Sequence, residues 1–361
     1  MKKFDVDTLI VGAGTAGCIA ALNLASSKSV LLIDKNASPL HRIGEALVPA
    51  AKRLFADMGL LDEFESREYL PYYGNQICWG TDKIVENNFI KNIDRHGWYI
   101  DRADFELWLR NVALRRGAEI IAPSKIISTS RNGDGFLLKL LHGTKELSVT
   151  ARTVIDAGGR SAPIARQLGA KRIATDRLVC GWLIINSTQQ FNNLSYIEAV
   201  SSGWWYAAPM PNKRYVIAFY TDSDLEEALN AKDVNILIQK ANSILSIRKL
   251  LGNLDLSNLS THGFTAAHSA TLAPCVGTNW LATGDAALCF DPISSQGLFN
   301  AIYTGLAAAE AVDRLLDGCE SSLQEYARMI LSIQEAYQVH YNFYYKAQTK
   351  WQNSVFWKRR T

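Results

Sequence analysis

Residues 6–17 read VDTLIVGAGTAG, and the reading of this stretch decides the fold. Apart from Asp7, Val6 to Val11 are apolar or β-branched, as in a strand buried within a parallel sheet. Gly12, Gly14 and Gly17 follow at Gly-x-Gly-x-x-Gly spacing, and the pattern predicts a helix over 15–26. A second strand over 30–33 ends at Asp34, close to the expected interval of about 20 residues. Gly12 permits a tight turn, Gly14 lets backbone N–H groups approach a pyrophosphate, and Gly17 lets the helix pack on the sheet. The helix N-terminus favours the anion, and Asp34 is placed for a ribose 2′-OH.

Beyond this βαβ opening, residues 48–60 carry helical apolar spacing after the Gly44-Glu45 turn. The aromatic-rich stretch 69–99 loses that period, and 101–116 regains it with Phe105, Leu109 and Val112 on one stripe. Short strands fill 119–150, punctuated by Asn132-Gly133-Asp134-Gly135 and His142-Gly143. A buried strand over 154–157 runs into Gly158-Gly159, with a helix over 162–168. Residues 178–220 alternate and are rich in Trp and Tyr, as in a half-buried antiparallel sheet. A helical stretch over 234–251, a last core strand over 280–283, a strong helix over 297–316 and one long aromatic helical segment complete the chain. The expected class is α/β. A Rossmann-like dinucleotide-binding domain (1–68, 100–176 and 265–320) is interleaved with an antiparallel-sheet substrate domain (69–99 and 177–264), followed by a C-terminal helical segment (321–361).

Composition excludes several classes. The 38 basic and 35 acidic side chains leave a formal net charge of +3, so no cationic face for nucleic acid is implied. Cys18, Cys78, Cys180, Cys275, Cys289 and Cys319 lie far apart, without a CxxC pair or a histidine at metal spacing. That pattern implies neither a disulfide framework nor a metal site, and points to reduced thiols in the cytoplasm. Lys2 and Lys3 before an apolar stretch resemble a signal peptide, but Gly12, Gly14 and Gly17 interrupt the stretch and Asp5 and Asp7 flank it. No run reaches the roughly 20 apolar residues of a transmembrane helix.

A second constellation selects the dinucleotide. Gly284-Asp285 closes a strand, and Asp291-Pro292, Ser294, Ser295, Gln296 and Gly297 lead into a helix. A nicotinamide dehydrogenase has no use for such a site so late in the chain. FAD does: its ribitol hydroxyls take a carboxylate, here Asp285, and its N1–C2=O edge takes the positive end of the helix starting near Gly297. Between the two constellations, Asp156-Ala157-Gly158-Gly159-Arg160-Ser161 precedes a helix carrying Arg166, and Tyr99-Ile100-Asp101-Arg102 begins the earlier one.

These four segments, in this order, resemble the flavin monooxygenase superfamily that contains para-hydroxybenzoate hydroxylase, tryptophan halogenases and geranylgeranyl reductases. Within it, Gly44-Glu45-Ala46-Leu47-Val48-Pro49 resembles the halogenase-type GE-x-x-x-P turn, and 291–297 resembles the loop at the flavin edge. The resemblance implies a cofactor-contact set of Gly12, Gly14, Gly17, Asp34, Lys35, Arg42, Gly44, Ala46, Arg102, Ala157, Gly158, Asp285, Pro292, Gly297 and Leu298. It implies Glu45, Ser295 and Gln296 near the chemistry, and Trp79, Trp204, Tyr206 and Pro209 around the substrate. Alternative readings stand for several of these: Arg102 as an ordinary helix-start arginine, Glu45 as a turn former, and the cap aromatics as core. His41 and His96 have proton transfer or packing as their two readings.

Chemically, the resemblance implies reduced FAD, its C4a-hydroperoxide, and oxygen transfer to an electron-rich aromatic ring. With one dinucleotide fingerprint, the electron donor is either a visiting NAD(P)H or a separate reductase. Chlorinating members resemble one another in a lysine on the strand after the GE-x-x-x-P helix and a glutamate before the flavin-loop serine. Residues 72–80 (YYGNQICWG) have no lysine, Lys83 lies beyond them, and Ser294 takes the glutamate's place. Hydroxylation of a tryptophan or indole is therefore expected, with halogenation and prenyl-lipid reduction as alternatives. The short chain and the DP-x-SSQG loop resemble the flavoproteins that mature cysteine tryptophylquinone oxidases, which implies a tryptophan within a precursor protein as substrate. The aromatic tail, from Tyr337 to Lys358-Arg359-Arg360, packs on the cap, docks a partner or meets a membrane surface.

Overall fold

The computed structural model describes residues 5–89, 93–187 and 192–360; Lys2 and Lys3 lie outside them. Five strands run parallel in the order Trp280–Ala282, Lys145–Asp156, Val6–Val11, Val30–Ile33 and Glu119–Ile121. All four residues of Val30–Ile33 are buried, the signature of a sheet covered on both faces. The helices Thr15–Leu24, Arg102–Arg115 and Gly297–Leu316 pack together on one side, with Thr15–Leu24 between the other two. The hairpin partners Lys125–Asn132 and Gly135–His142 extend the sheet beside Lys145–Asp156.

That last strand corrects a boundary. Sequence spacing separates a strand cluster ending at 150 from a core strand at 154–157, whereas Lys145–Asp156 is one strand of 12 residues. Its first half alternates in the hairpin layer and its last four residues are buried in the parallel sheet, so one strand serves both. The helix expected over 48–60 is likewise two, Ala51–Asp57 and Leu61–Glu65, parted at Gly59 with φ +65°. The stretch over 234–251 breaks at Ile244, whose extended backbone starts a new helix, Leu245–Leu251.

The cap is a seven-stranded sheet in the order Leu259–Ala266, Leu178–Asn186, Arg214–Asp222, Gly203–Met210, Leu194–Val200, Gly74–Cys78 and Val85–Asn88. Residues 69–99 do not all enter it: Leu70–Tyr72 and Gly97–Tyr99 pair with Ala46–Leu47 in a separate three-stranded sheet. Strand alternation divides the cap's two faces. Trp204 and Tyr220 belong to the face toward the parallel-sheet domain and the C-terminal segment, while Trp205 and Phe219 pack beneath Val234–Ser243 and Leu245–Leu251.

The tail is not one helix. Ser322–Lys346 ends, 347–354 turns across the cap, and Val355–Lys358 is a separate short helix. The buried side chain of Gln348 drives the turn, donating to Trp79 O and accepting from Trp351 N. Trp351 Nε1, Trp357 Nε1 and Ser354 Oγ then donate to the carbonyls of Ala199, Val200 and Ser201. Arg360 closes the segment by pairing with Asp222, at 2.5 and 3.1 Å, where both side chains are essentially excluded from water. Removing one partner of a buried pair leaves the other charge undercompensated. Arg360→Ala is expected to cost about 3 kcal/mol, read as a lower urea midpoint at unchanged m-value.

Among the described residues, no helix is long and apolar enough to cross a membrane. No group of three His, Cys, Asp or Glu side chains among them is placed to hold a metal ion.

Candidate FAD site

A cavity of about 970 Å³ runs from the glycine turn to the cap. At one end Gly12, with φ +104°, leaves no room for a side chain: a Cβ there would lie 2.3 Å from Ala157 O. A Cβ on Gly17 would lie 1.9 Å from Gly12 O. Gly17 thus keeps helix and turn together from behind and does not itself border the cavity. The helix Thr15–Leu24 begins at Gly14 with neither a capping side chain nor an acidic residue in its first turn, so its N–H groups face the cavity uncapped.

Asp34 borders the same end together with Lys35. Its Oδ2 accepts from Ala13 N at 2.8 Å and its Oδ1 from Asn36 N at 2.7 Å. Each carboxylate oxygen accepts more than one hydrogen bond, so a ribose hydroxyl still has a place there. Arg110, which the sequence reading did not single out, holds this corner from a buried position: Nε donates to Ala13 O at 2.9 Å, and NH2 lies 3.4 Å from Asp34 Oδ2.

Ala157, Gly158, Arg42, Gly44, Ala46 and Arg102 also line the cavity. Asp101 caps the helix Arg102–Arg115 through Ala103 N and Asp104 N and so aims Arg102 inward. Arg102 donates to Glu106 Oε1 at 2.7 Å and to Gly44 O at 3.2 Å, and Arg42 pairs with the same Glu106 oxygen. The two guanidinium charges hold the buried Glu106 carboxyl below its ordinary range, against burial. Arg102 Nε is buried with no partner. Glu106 was missed by sequence reasoning, although its i,i+4 spacing from Arg102 was available as a signal.

At the far end stand Asp285, Pro292, Ser295, Gly297 and Leu298. Asp285 follows the turn at Gly284, and Arg160 Nε lies 3.8 Å from its Oδ2. The helix Gly297–Leu316 has no side-chain cap and no acid in its first turn, and a Cβ on Gly297 would meet nothing within 4 Å. Gln296 is exposed and does not border the cavity, because the left-handed Ser295, φ +51°, turns the chain so that Ser295 faces in and Gln296 out.

Above this end, Glu45 is 1% exposed. Its Oε1 accepts from Tyr206 Oη at 2.5 Å and its Oε2 from Gly44 N at 3.0 Å. Burial pushes the Glu45 carboxyl up; the Tyr206 hydroxyl, the Gly44 and Glu45 N–H groups and the Arg102 charge act in the opposite direction. Trp204 stacks on Tyr220 with centroids 3.9 Å apart, and both border the cavity with Trp182. Two expected substrate residues lie elsewhere. Trp79 sits behind Trp204, edge-on to Trp357 at 5.2 Å and bonded through Nε1 to Tyr344 O. Pro209 is one step out of phase with Trp204 and Tyr206 on the strand Gly203–Met210, which turns it to the opposite face. His41 borders the cavity; His96 does not.

An elongated cavity with an uncapped helix start at each end, two arginines among its lining residues, and open space over Gly297 fits FAD. The chain belongs to the FAD-binding-domain family, which matches residues 5–336, and is an FAD-dependent oxidoreductase. It is 26% identical over 364 residues to LodB of Marinomonas mediterranea, named as an FAD-dependent oxidoreductase, covering 98% of this chain and 96% of that one. The fold is shared with the myxobacterial chondrochloren halogenase CndH, at TM-score 0.90 and 21% identity, over 99% of this chain and 86% of that one. It is also shared with QhpG, a peptidyl tryptophan dihydroxylase essential for tryptophylquinone cofactor biogenesis. That comparison gives TM-score 0.79 and 20% identity, over 98% of this chain and 78% of that one.

Proposed function

We propose that this protein is an FAD-dependent monooxygenase that hydroxylates an electron-rich aromatic ring, that of a tryptophan or indole, and that the tryptophan belongs to a precursor protein in tryptophylquinone biogenesis. The observation that carries this reading is the buried Glu45–Tyr206 pair beneath Trp204 and Tyr220 at the cap end of the cavity. The lysines bordering the cavity, Lys35 and Lys125, lie at the other end, beside Asp34 and Ser124. In the stretch where chlorinating members carry a lysine, Asn75 instead accepts hydrogen bonds from Tyr72 and Ser195.

Bound FAD, reduced by NAD(P)H or a separate reductase, supplies two electrons and activates O₂; one oxygen enters the ring and the other leaves as water. The protein's own work is to hold the ring, keep water out and move protons. Trp182, Trp204, Tyr206 and Tyr220 make the cap end of the cavity an aromatic surround for such a ring. Glu45, as the carboxylate to which Tyr206 donates a hydrogen bond, is placed to take the proton that the ring carbon releases and become the neutral acid.

Likeness to a halogenase favours a second reading, halogenation of the same ring by a halide oxidised at the expense of O₂. One experiment separates them. The holoprotein is reduced without air and mixed with ¹⁸O₂, bromide and a tryptophan-containing peptide. The expected product is the peptide with ¹⁸O on its indole. A brominated peptide would replace this reading with the second, and oxygenation of free tryptophan in preference to the peptide would sink the protein-borne substrate.

A further inference from the structure

Asp291 is fully buried, lies in the cavity wall, and has no part in the chemistry just described. Its contacts tie together two distant parts of the chain. Oδ1 accepts from Ile293 N at 2.9 Å and so closes the turn Pro292–Ser294, which leads through Ser295 into the helix Gly297–Leu316. Oδ2 accepts from Tyr345 Oη at 2.7 Å. Its backbone N–H donates to Tyr337 Oη at 3.0 Å, and that hydroxyl lies 2.6 Å from Ser269 Oγ. Both tyrosines project from the helix Ser322–Lys346. Tyr345 is in turn enclosed by the tail, with the Trp357 ring 5.8 Å away and the Arg360 guanidinium 5.3 Å from its centroid.

We infer that Asp291 is a positioning residue of the flavin site, and that Tyr345 is the contact through which the C-terminal helix and tail fix the 292–297 loop against the flavin ring. Displacing a loop of this kind by a fraction of an ångström changes what its N–H groups offer the ring, which is why the anchor is buried and doubly bonded. The residue also brings a titration. Burial raises the Asp291 carboxyl to about 7, and Asp176 pushes the same way; Ile293 N–H, Tyr345 and Arg360 oppose them. The other groups facing it are Tyr337 and Tyr341 of the C-terminal helix and Tyr220 of the cap, whose hydroxyls burial keeps neutral across this range. Below pH 7 a neutral Asp291 leaves the negative charge of reduced flavin unopposed; above it, the carboxylate repels that charge.

This inference rests on the FAD site and not on which atom is transferred. Its test uses the FAD-loaded protein and three variants: Asp291→Asn, Tyr345→Phe, and Tyr196→Phe as a control on the far face of the cap, where that hydroxyl bonds Glu198. The readouts are the absorption spectrum of bound oxidised FAD and the ratio of affinities for reduced and oxidised FAD, measured about one pH unit either side of 7. In the wild type the ratio is expected to fall about tenfold beyond the flavin's own pH response, about 30 mV for a two-electron couple. Asp291→Asn is expected to lose that extra fall. Tyr345→Phe is expected to shift both the spectrum and the ratio, while Tyr196→Phe alters neither. Should Asp291→Asn not fold, Tyr345→Phe decides alone, since it removes a single oxygen. A wild-type spectrum and ratio in Tyr345→Phe would overturn the inference, as would an unchanged pH response in a folded Asp291→Asn. Failure of the peptide oxygenation assay with these spectral shifts intact would sink only the hydroxylation reading.

Discussion

Gly297→Ala is expected to give a well-folded protein that no longer holds its flavin. An added methyl at this position meets no protein atom within 4 Å, and Gly297 is the first residue of a 20-residue helix. Alanine at a helical position with room for it is neutral or mildly stabilising, by about 0.5 kcal/mol or less at a helix end. The space it enters is the space the flavin edge needs. Titrating the apoprotein with FAD should show affinity lowered on the order of 100-fold, about 2.7 kcal/mol, with an unchanged urea midpoint. Gly17→Ala provides the contrast. Its methyl would press on Gly12 O inside the protein, so stability and flavin should be lost together. Full FAD retention by Gly297→Ala would mean that the ring lies elsewhere.

The second large effect is at Glu45. Glu45→Gln keeps the size and one acceptor for Tyr206 but cannot take a proton, so turnover should fall by about 10²–10⁴ while the yellow colour remains. The pH profile adds a sign. A carboxyl raised by burial stays protonated to higher pH than an ordinary glutamate, so a base at this position makes the rate climb as pH rises through the raised value. That limb should vanish in Glu45→Gln. In Tyr206→Phe it should move to higher pH, because the lost hydroxyl was one of the groups lowering the carboxyl. A Glu45→Gln enzyme with wild-type turnover would remove Glu45 from the chemistry.

Where one local rule determined an outcome, the sequence was a good guide. The glycine spacing, the buried strand before it and Asp34 after it required no knowledge of the rest of the chain, and the cavity borders all but Gly17 of that set. The late constellation around Asp285 and Gly297 was equally legible, because uncapped helix starts and strand ends have fixed signatures. Residues whose orientation depends on tertiary packing were less so. Trp79 has the composition of a substrate-stacking residue, but the tail claims its indole N–H. Pro209 lies three residues after Tyr206 on the same strand, an odd number of steps that turns it to the opposite face, and only the phase of the strand reveals it. Arg110 was overlooked because buried charge is recognised by its partners, and its partner Ala13 O comes from 97 residues away in sequence; the second partner of Glu106, Arg42, is 64 away, and the Tyr345 contact of Asp291, a residue of the late constellation, is 54 away.

The cap sheet takes strands from 74–88, 178–222 and 259–266, while the parallel sheet gains its strand at 280–282 after all of them. On the ribosome, therefore, the parallel sheet, begun first, is completed only after every strand of the cap has been made. The end of the strand Lys145–Asp156, from Val154, waits with an open edge until Ala282 emerges, and the Trp204 face waits for Trp357. Apolar surface of both layers therefore stays uncovered until residues far along the chain have been made.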